Sequence, residues 1–195
     1  MIIGSAHRQT TLPIHPLFLD RWSSRAMSGE ALSETELMTL LEAARWAPSS
    51  GNFQPWRFLY ARRDTDFWQA FLELLVPGNR SWAQHAGALV LVISRTYYDG
   101  DGRPCPTHSY DAGAAWQNLA LQASLSNLVA HGIGGFDYER ARRVLRVPDA
   151  YAVEAMIVLG KRGDETQLGE SLQKREVPND RRPLAQSVCE GPFSL

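Results

Sequence analysis

The stretch Arg45–Phe58, RWAPSSGNFQPWRF, decides the reading of the fold. Pro48 disfavours helical geometry at Ala47, so a helix arriving from the N-terminal side stops there. APSSGNFQP is a loop by composition. Beyond it Trp56, Phe58 and Tyr60 alternate with Arg57, Leu59 and Ala61, as in a half-buried strand. Upstream, Ser33 and Glu36 form a capping-box pattern, and Leu37, Leu40, Leu41 and Ala44 recur at helical spacing, which predicts a helix to about Trp46. Before it lie a short amphipathic segment, Pro13 to Trp22, and the polar stretch RWSSRAMSGE, read as irregular.

Downstream, Asp64 is placed to cap a helix over Thr65 to Val76 that Pro77-Gly78 closes, with a shorter helix over Arg80 to His85. Ala88 to Ser94 is continuously apolar and reads as a central strand buried on both faces. Tyr97 to Pro106 is turn-rich. Its DGDG begins like a calcium loop, but Tyr110 stands where the later glutamate belongs, so it is read as a surface turn. From Ser109 to about Ala130 the chain is apolar nearly all round, including Trp116, Leu119 and Leu128. Such a helix must be buried, in the core or against another subunit. HGIGGFD, a helix over Tyr138 to Leu145 and a strand over Ala152 to Leu159 follow. The last 35 residues lack periodicity and are expected to be disordered or draped over something else. Three strands among helices, in a chain that opens on helices, do not match a doubly wound nucleotide fold, which opens on a strand and a glycine-rich loop. At 195 residues one domain, 1–195, is the expectation.

Twenty basic against 21 acidic side chains, net charge −1, argue against a general nucleic-acid binder but leave room for a local anion site. The longest apolar run, around Ala86 to Ile93, is too short to span a bilayer, so no membrane partner is expected. The N-terminus shows no signal-peptide pattern. Cys105 and Cys189 have neither CxxC nor zinc spacing and read as reduced thiols of a cytoplasmic protein. Eighteen of the 20 basic residues are arginine. The two lysines, Lys161 and Lys174, fall in a polar region, which disfavours Schiff-base chemistry.

Gly132, Gly134 and Gly135 are not a dinucleotide fingerprint, because Asp137 occupies the third glycine position. No Walker motif, HExxH or GxSxG occurs, and no close carboxylate pair invites hydrolysis. What remains is directed at anions. Arg21, Ser23 and Arg25 alternate in RWSSR, and in an extended segment they point the same way. Two guanidinium forks and a hydroxyl then converge on one phosphate-sized object. A solvated loop in an arginine-rich chain is the other reading of the same residues.

Taken with the rest, the balance changes. RWSSR, the loop RWAPSSGNFQPWRF, DAGAAWQNLALQA at Asp111 to Ala123, GIGGFD at Gly132 to Asp137 and RRPL at Arg181 to Leu184 occur in that order. Together they resemble the nitroreductase family of FMN-dependent oxidoreductases, over nearly the whole chain from about Leu17 to Leu184. APSSGNFQPW is the most specific piece and DAGAAWQNL the next.

The resemblance implies an α+β fold, with a mostly antiparallel central sheet flanked by helices, in an intertwined homodimer with two FMN sites at the subunit interface. It makes the apolar helix near Asp111 to Ala130 the dimer helix, and the tail, about 161–195, an arm over the partner subunit. Carried over by motif, Arg21 and Ser23 look like phosphate ligands, with Trp22 lending backbone contacts. Arg25 resembles the family's cation at the N1–C2=O edge of the flavin, where a fixed charge stabilises the reduced ring. Pro48, Ser49, Ser50 and Asn52 match the loop that crosses from the other subunit. Asn79 matches a position that bonds the pyrimidine edge. Gly134 and Gly135 match the loop beside N5, and Arg181 the C-terminal phosphate ligand.

The chain departs from the family pattern at three positions. Asn179 stands where many members carry a lysine or arginine, Trp82 where some carry a lysine, and Gly134 where some carry an acid. The resemblance then implies a phosphate held by fewer charges and a more open pocket over N5. It implies hydride transfer from NADH or NADPH through FMN to a small acceptor, a nitroaromatic, quinone or activated alkene, by a ping-pong mechanism with no catalytic side chain and no metal. The alternatives weighed are a specialised member (a dehalogenase, azoline oxidase or flavin-cannibalising synthase) and a flavin-binding protein with little turnover.

Overall fold

Four antiparallel strands in the order β1-β2-β4-β3 organise the protein: β1 (Trp56–Arg62), β2 (Ala88–Arg95), β3 (Leu128–Ile133) and β4 (Tyr151–Lys161). The structure is a computed structural model and describes residues 4–193. The fold is α+β, as the motif resemblance implies.

Strand β2 shows why the sheet is central. Ala88 to Ser94 are all buried. Successive side chains of a strand point to opposite faces, and here both faces are covered. Leu89, Leu91 and Ile93 pack with Phe71, Leu74, Leu75 and Trp82 on one side. Ala88, Val90 and Val92 pack with Leu37, Leu40, Ala115 and Leu119 on the other. The same division extends to β1. The strand is half-buried as expected, with Arg57 and Tyr60 exposed, but its cover is shared between the two faces: Ala61 is buried in the first layer and Trp56 in the second.

The second layer is built from α2 (Glu34–Arg45) and α5 (His108–Leu125). Helix α2 begins as the sequence predicts: the Ser33 hydroxyl accepts from the Glu36 N–H, and the Glu36 carboxylate accepts from the Ser33 N–H at 2.7 Å. Helix α5 buries Asp111, Ala112, Ala115, Leu119, Ala120 and Ala123 and leaves Tyr110, Gly113, Gln117 and Leu125 exposed. Within one chain, then, only one face of this apolar helix is covered.

Three other boundaries differ from the sequence reading. Helix α5 stops at Leu125. Asn127 takes φ +56°, and the chain reverses into β3 along β4, so Leu128 and Ala130 belong to a fourth strand. The helix expected over Thr65 to Val76 shrinks to α3 (Trp68–Leu72), because Asp64 lies at φ +64° in a turn instead of capping. Pro77 opens a helix rather than closing one: α4 runs Pro77–Ala83, with proline in its first turn, where the missing N–H costs nothing. Helix α6 (Tyr138–Val144) matches its expectation, capped by the Asp137 side chain, and so does α1 (Leu17–Asp20) in the N-terminal segment. Among the described residues beyond β4 there are only α7 (Glu170–Gln173) and short turns; Leu168, Glu176 and Pro178 are buried, and residues 179–193 are exposed. Among the described residues no helix is long and apolar enough to cross a membrane.

Candidate flavin-phosphate cleft

RWSSR is irregular but firmly held. After it, Ala26 and Ser28 run beside the end of β4: Gly163 N–H donates to the Ala26 carbonyl at 2.9 Å and Ser28 N–H to the Lys161 carbonyl at 3.0 Å. Gly163 is required for this approach, since a Cβ would stand 2.4 Å from the Met27 carbonyl carbon. Within RWSSR itself, the Trp22 ring lies under the Arg162 guanidinium at 4.5 Å.

The loop faces a cleft of about 410 Å³ in which Arg21, Ser23 and Arg25 meet Arg8, Arg175 and Arg181. Five arginines therefore line the cleft, more than the motif positions alone supply. Asn179 replaces one cation, but Arg8 and Arg175 add two. Arg8 is buried and ties three segments together, donating to the carbonyls of Leu19 (2.7 Å), Arg21 (2.8 Å) and Asn179 (2.8 Å). Trp82 does not reach this cleft; it is a core residue packed on the His131 ring at 4.7 Å.

The electrostatics are those of an anion site. Burial, with Arg8 and Arg181 beside it, pulls the Arg21 guanidinium below its ordinary pKa. Burial and Arg175 do the same to Arg25, against the opposing pull of Glu176. Burial also lowers His131, which lines the cleft and keeps its Nδ1 at 3.0 Å from the Ser24 carbonyl. Like charges crowded in a partly dry site favour a multiply charged anion among them.

One residue with no signal in the sequence holds this loop. Glu176 is 1% exposed. Its Oε1 accepts from the Ser24 hydroxyl (2.5 Å), the Arg25 N–H (2.8 Å) and the Ala26 N–H (2.9 Å).

Asn79, Gly134 and Gly135 also come together. Val76 N–H donates to the Gly135 carbonyl, as does Asn79 Nδ2 at 3.0 Å. A Cβ on Gly135 would lie 2.6 Å from Asn79 Nδ2, so the glycine there serves this junction of the α4 start with the β3–α6 turn. Strand β3 carries both His131 and the Gly134-Gly135 turn, and so joins the two groups of residues.

Pro48, Ser49, Ser50 and Asn52 do not line the cleft. They sit where α2 ends, tied to α5: buried Asp111 accepts from the Ser50 N–H at 3.2 Å and the Thr107 hydroxyl at 3.1 Å. Gly51, Asn52 and Gln54 all take positive φ, a strained local geometry of the kind that functional loops retain. Pro48, Ser50 and Asn52 are exposed. Elsewhere, Ser94, His108 and Glu154 cluster, but both partners face the same nitrogen, Nδ1, so no proton relay through the ring is built.

An α+β sheet carries an arginine-lined cleft on an irregular loop, an arrangement suited in chemistry to a phosphorylated or similarly anionic ligand. The nitroreductase family model matches residues 19–161, and the chain belongs to that family. A solved structure described as an oxidoreductase containing FMN is 47% identical, with TM-score 0.93 and 96% of each chain covered. The NADH dehydrogenase of Thermus thermophilus is 29% identical over 188 residues, covering 80% of this chain and 92% of that protein. An uncharacterized 15.4 kDa protein of Mycolicibacterium smegmatis is 36% identical over 119 residues, 60% of this chain and 78% of that protein.

Proposed function

We propose that the protein is an FMN-dependent oxidoreductase that uses NADH or NADPH to reduce a small acceptor such as a nitroaromatic, quinone or activated alkene. The observation that carries this reading is the cleft where Arg21 and Arg25 of the RWSSR loop meet Arg8, Arg175 and Arg181, next along β3 to the Gly134-Gly135 turn. The donor set suits the group: a dianionic phosphate offers oxygens for several guanidinium forks and for the Ser23 hydroxyl. The NADH dehydrogenase and FMN-containing oxidoreductase among its relatives support the same assignment.

In this reading Arg21, Ser23 and Arg181 hold the phosphate, with Trp22 in the same loop. With FMN bound, Arg25 would present its charge to the N1–C2=O edge, Asn79 would bond the pyrimidine edge, and the Gly134-Gly135 backbone would lie beside N5. FMN, held there, would supply the two-electron chemistry that a ping-pong transfer of hydride from NADH or NADPH to the acceptor needs. The chain's own contribution is binding, orientation and a fixed positive charge, which favours the reduced ring. Pro48, Ser49, Ser50 and Asn52 serve the flavin of a partner subunit in a cytoplasmic homodimer. The exposed side of α5 forms the dimer surface. Of the expected arm, about 161–195, the part from Lys161 to Asn179 is held on its own chain, and the exposed end beyond Arg181 lies over the partner. The whole chain acts as one domain.

Anaerobic titration tests the assignment. Purified protein loaded with FMN should be yellow, bleach on addition of NADH or NADPH, and recover colour with an acceptor from a quinone and nitroaromatic panel. Protein that stays colourless after FMN incubation, or yellow protein that no nicotinamide bleaches, refutes it.

A further inference from the structure

Glu176 is buried beside Arg25, and its two oxygens are used differently. Oε1 takes three hydrogen bonds from Ser24, Arg25 and Ala26. Oε2 is buried with no hydrogen-bond partner among the described residues, 3.8 Å from the nearest Arg25 guanidinium nitrogen. At that distance there is attraction but no hydrogen bond. Among the described residues the Arg25 guanidinium donates no hydrogen bond, so its forks stay available on the cleft side. A buried acceptor left unpaired is costly, and a carboxylate is costlier than a neutral group. Such an oxygen persists where surrounding positive charge compensates it. Here the backbone on both sides of Arg25 is fixed by one carboxylate oxygen, while the other draws on its side chain.

We propose that Glu176 is a positioning residue that sets both the aim and the effective charge of Arg25 toward the flavin. The inference rests on the FMN reading above and on the placement of Arg25 in it. Through Oε1 the carboxylate clamps the loop; through Oε2 it offsets part of the Arg25 charge. It thereby holds the flavin's reduction potential below the value Arg25 alone would give. A C-terminal residue thus regulates an N-terminal loop 150 residues away.

Clamp and charge separate by substitution. Glu176→Gln keeps a carbonyl oxygen for the three donors and removes the charge. Its holoprotein should show a more positive flavin midpoint potential, read by spectroelectrochemistry, and FMN bound several-fold more tightly. Both changes should vanish in an Arg25→Ala background. Glu176→Ala removes the clamp as well, and FMN affinity, read by fluorescence titration of the apoprotein, should fall by about tenfold or more.

If Glu176→Gln leaves the potential at the wild-type value while Arg25→Ala lowers it, Glu176 is a structural tether only and the proposal is overturned. If Arg25→Ala itself leaves the potential unchanged, the placement of Arg25 fails and takes the proposal with it. Should Glu176→Gln not yield folded protein, Glu176→Asp decides. One methylene shorter, its carboxylate cannot reach the three donors and Arg25 together, so FMN affinity should fall roughly tenfold. Unchanged affinity overturns the proposal.

Discussion

Gly135→Ala tests how closely the β3–α6 turn must approach α4. The added carbon would stand 2.6 Å from Asn79 Nδ2 and 3.3 Å from Val76 Cγ2. The Asn79 amide must swing away, and its 3.0 Å hydrogen bond to the Gly135 carbonyl is lost. A neutral hydrogen bond contributes about 1 kcal/mol, and the crowding adds roughly 1–2 kcal/mol. Gly135 does not take positive φ, so alanine also stiffens the unfolded chain and offsets about 0.5 kcal/mol. The net loss is roughly 2 kcal/mol, or about 4–8 °C in Tm for a chain of this length. Thermal melts of the apoprotein, at one fixed protein concentration, read it directly. Gly134→Ala is the internal control. Its Cβ meets only the Tyr138 hydroxyl at 3.7 Å, so its stability should stay within about 0.5 kcal/mol of wild type. Loss of FMN by Gly134→Ala without loss of stability then reports a contact with the cofactor. Wild-type melting of Gly135→Ala, or equal losses in both variants, refutes the reasoning.

Three further outcomes are expected. Ser33→Ala removes one arm of the α2 capping box and should cost about 1 kcal/mol in urea unfolding with FMN affinity unchanged; an affinity loss would tie α2 to the cleft. Burial, chiefly, holds the His131 imidazole below its ordinary pKa, so the folded state takes up a proton less readily than the unfolded chain. Stability from neutral His131 should be complete above about pH 6.5 and decline as pH falls through that value toward the folded pKa. His131→Gln should flatten that slope, and an unchanged slope assigns it elsewhere. Deleting the chain from Pro178 onward removes Arg181 and the Asn179 carbonyl that receives Arg8. Flavin binding and dimerisation should weaken in parallel, as read by size-exclusion chromatography with light scattering; a well-folded full-length monomer carrying one FMN per chain would overturn the two-chain site.

The sequence by itself determined what rests on near neighbours. The Ser33–Glu36 capping box, the β2 strand and the α6 cap involve residues a few positions apart, and local spacing specifies them. The motif order was enough to place Arg21, Ser23, Arg25 and Arg181 in one site, and the fold brings those four into one cleft. Where α5 ends was not legible, because Ala/Leu-rich chain continues unbroken into β3. Pairing with β4 and the left-handed Asn127 decide that boundary. The fate of the α3 region turned on Asp64 adopting positive φ, which composition does not announce. Only the tertiary structure could assign Arg8, Arg175 and Glu176. They lie outside the motifs and reach the cleft from the two ends of the chain, across separations of 171 residues for Arg8 to Asn179 and 152 for Ser24 to Glu176. No periodicity encodes such pairings. They exist because the sheet and its two packed layers bring the chain ends together, and a buried charge is stable only where another charge or a donor already waits.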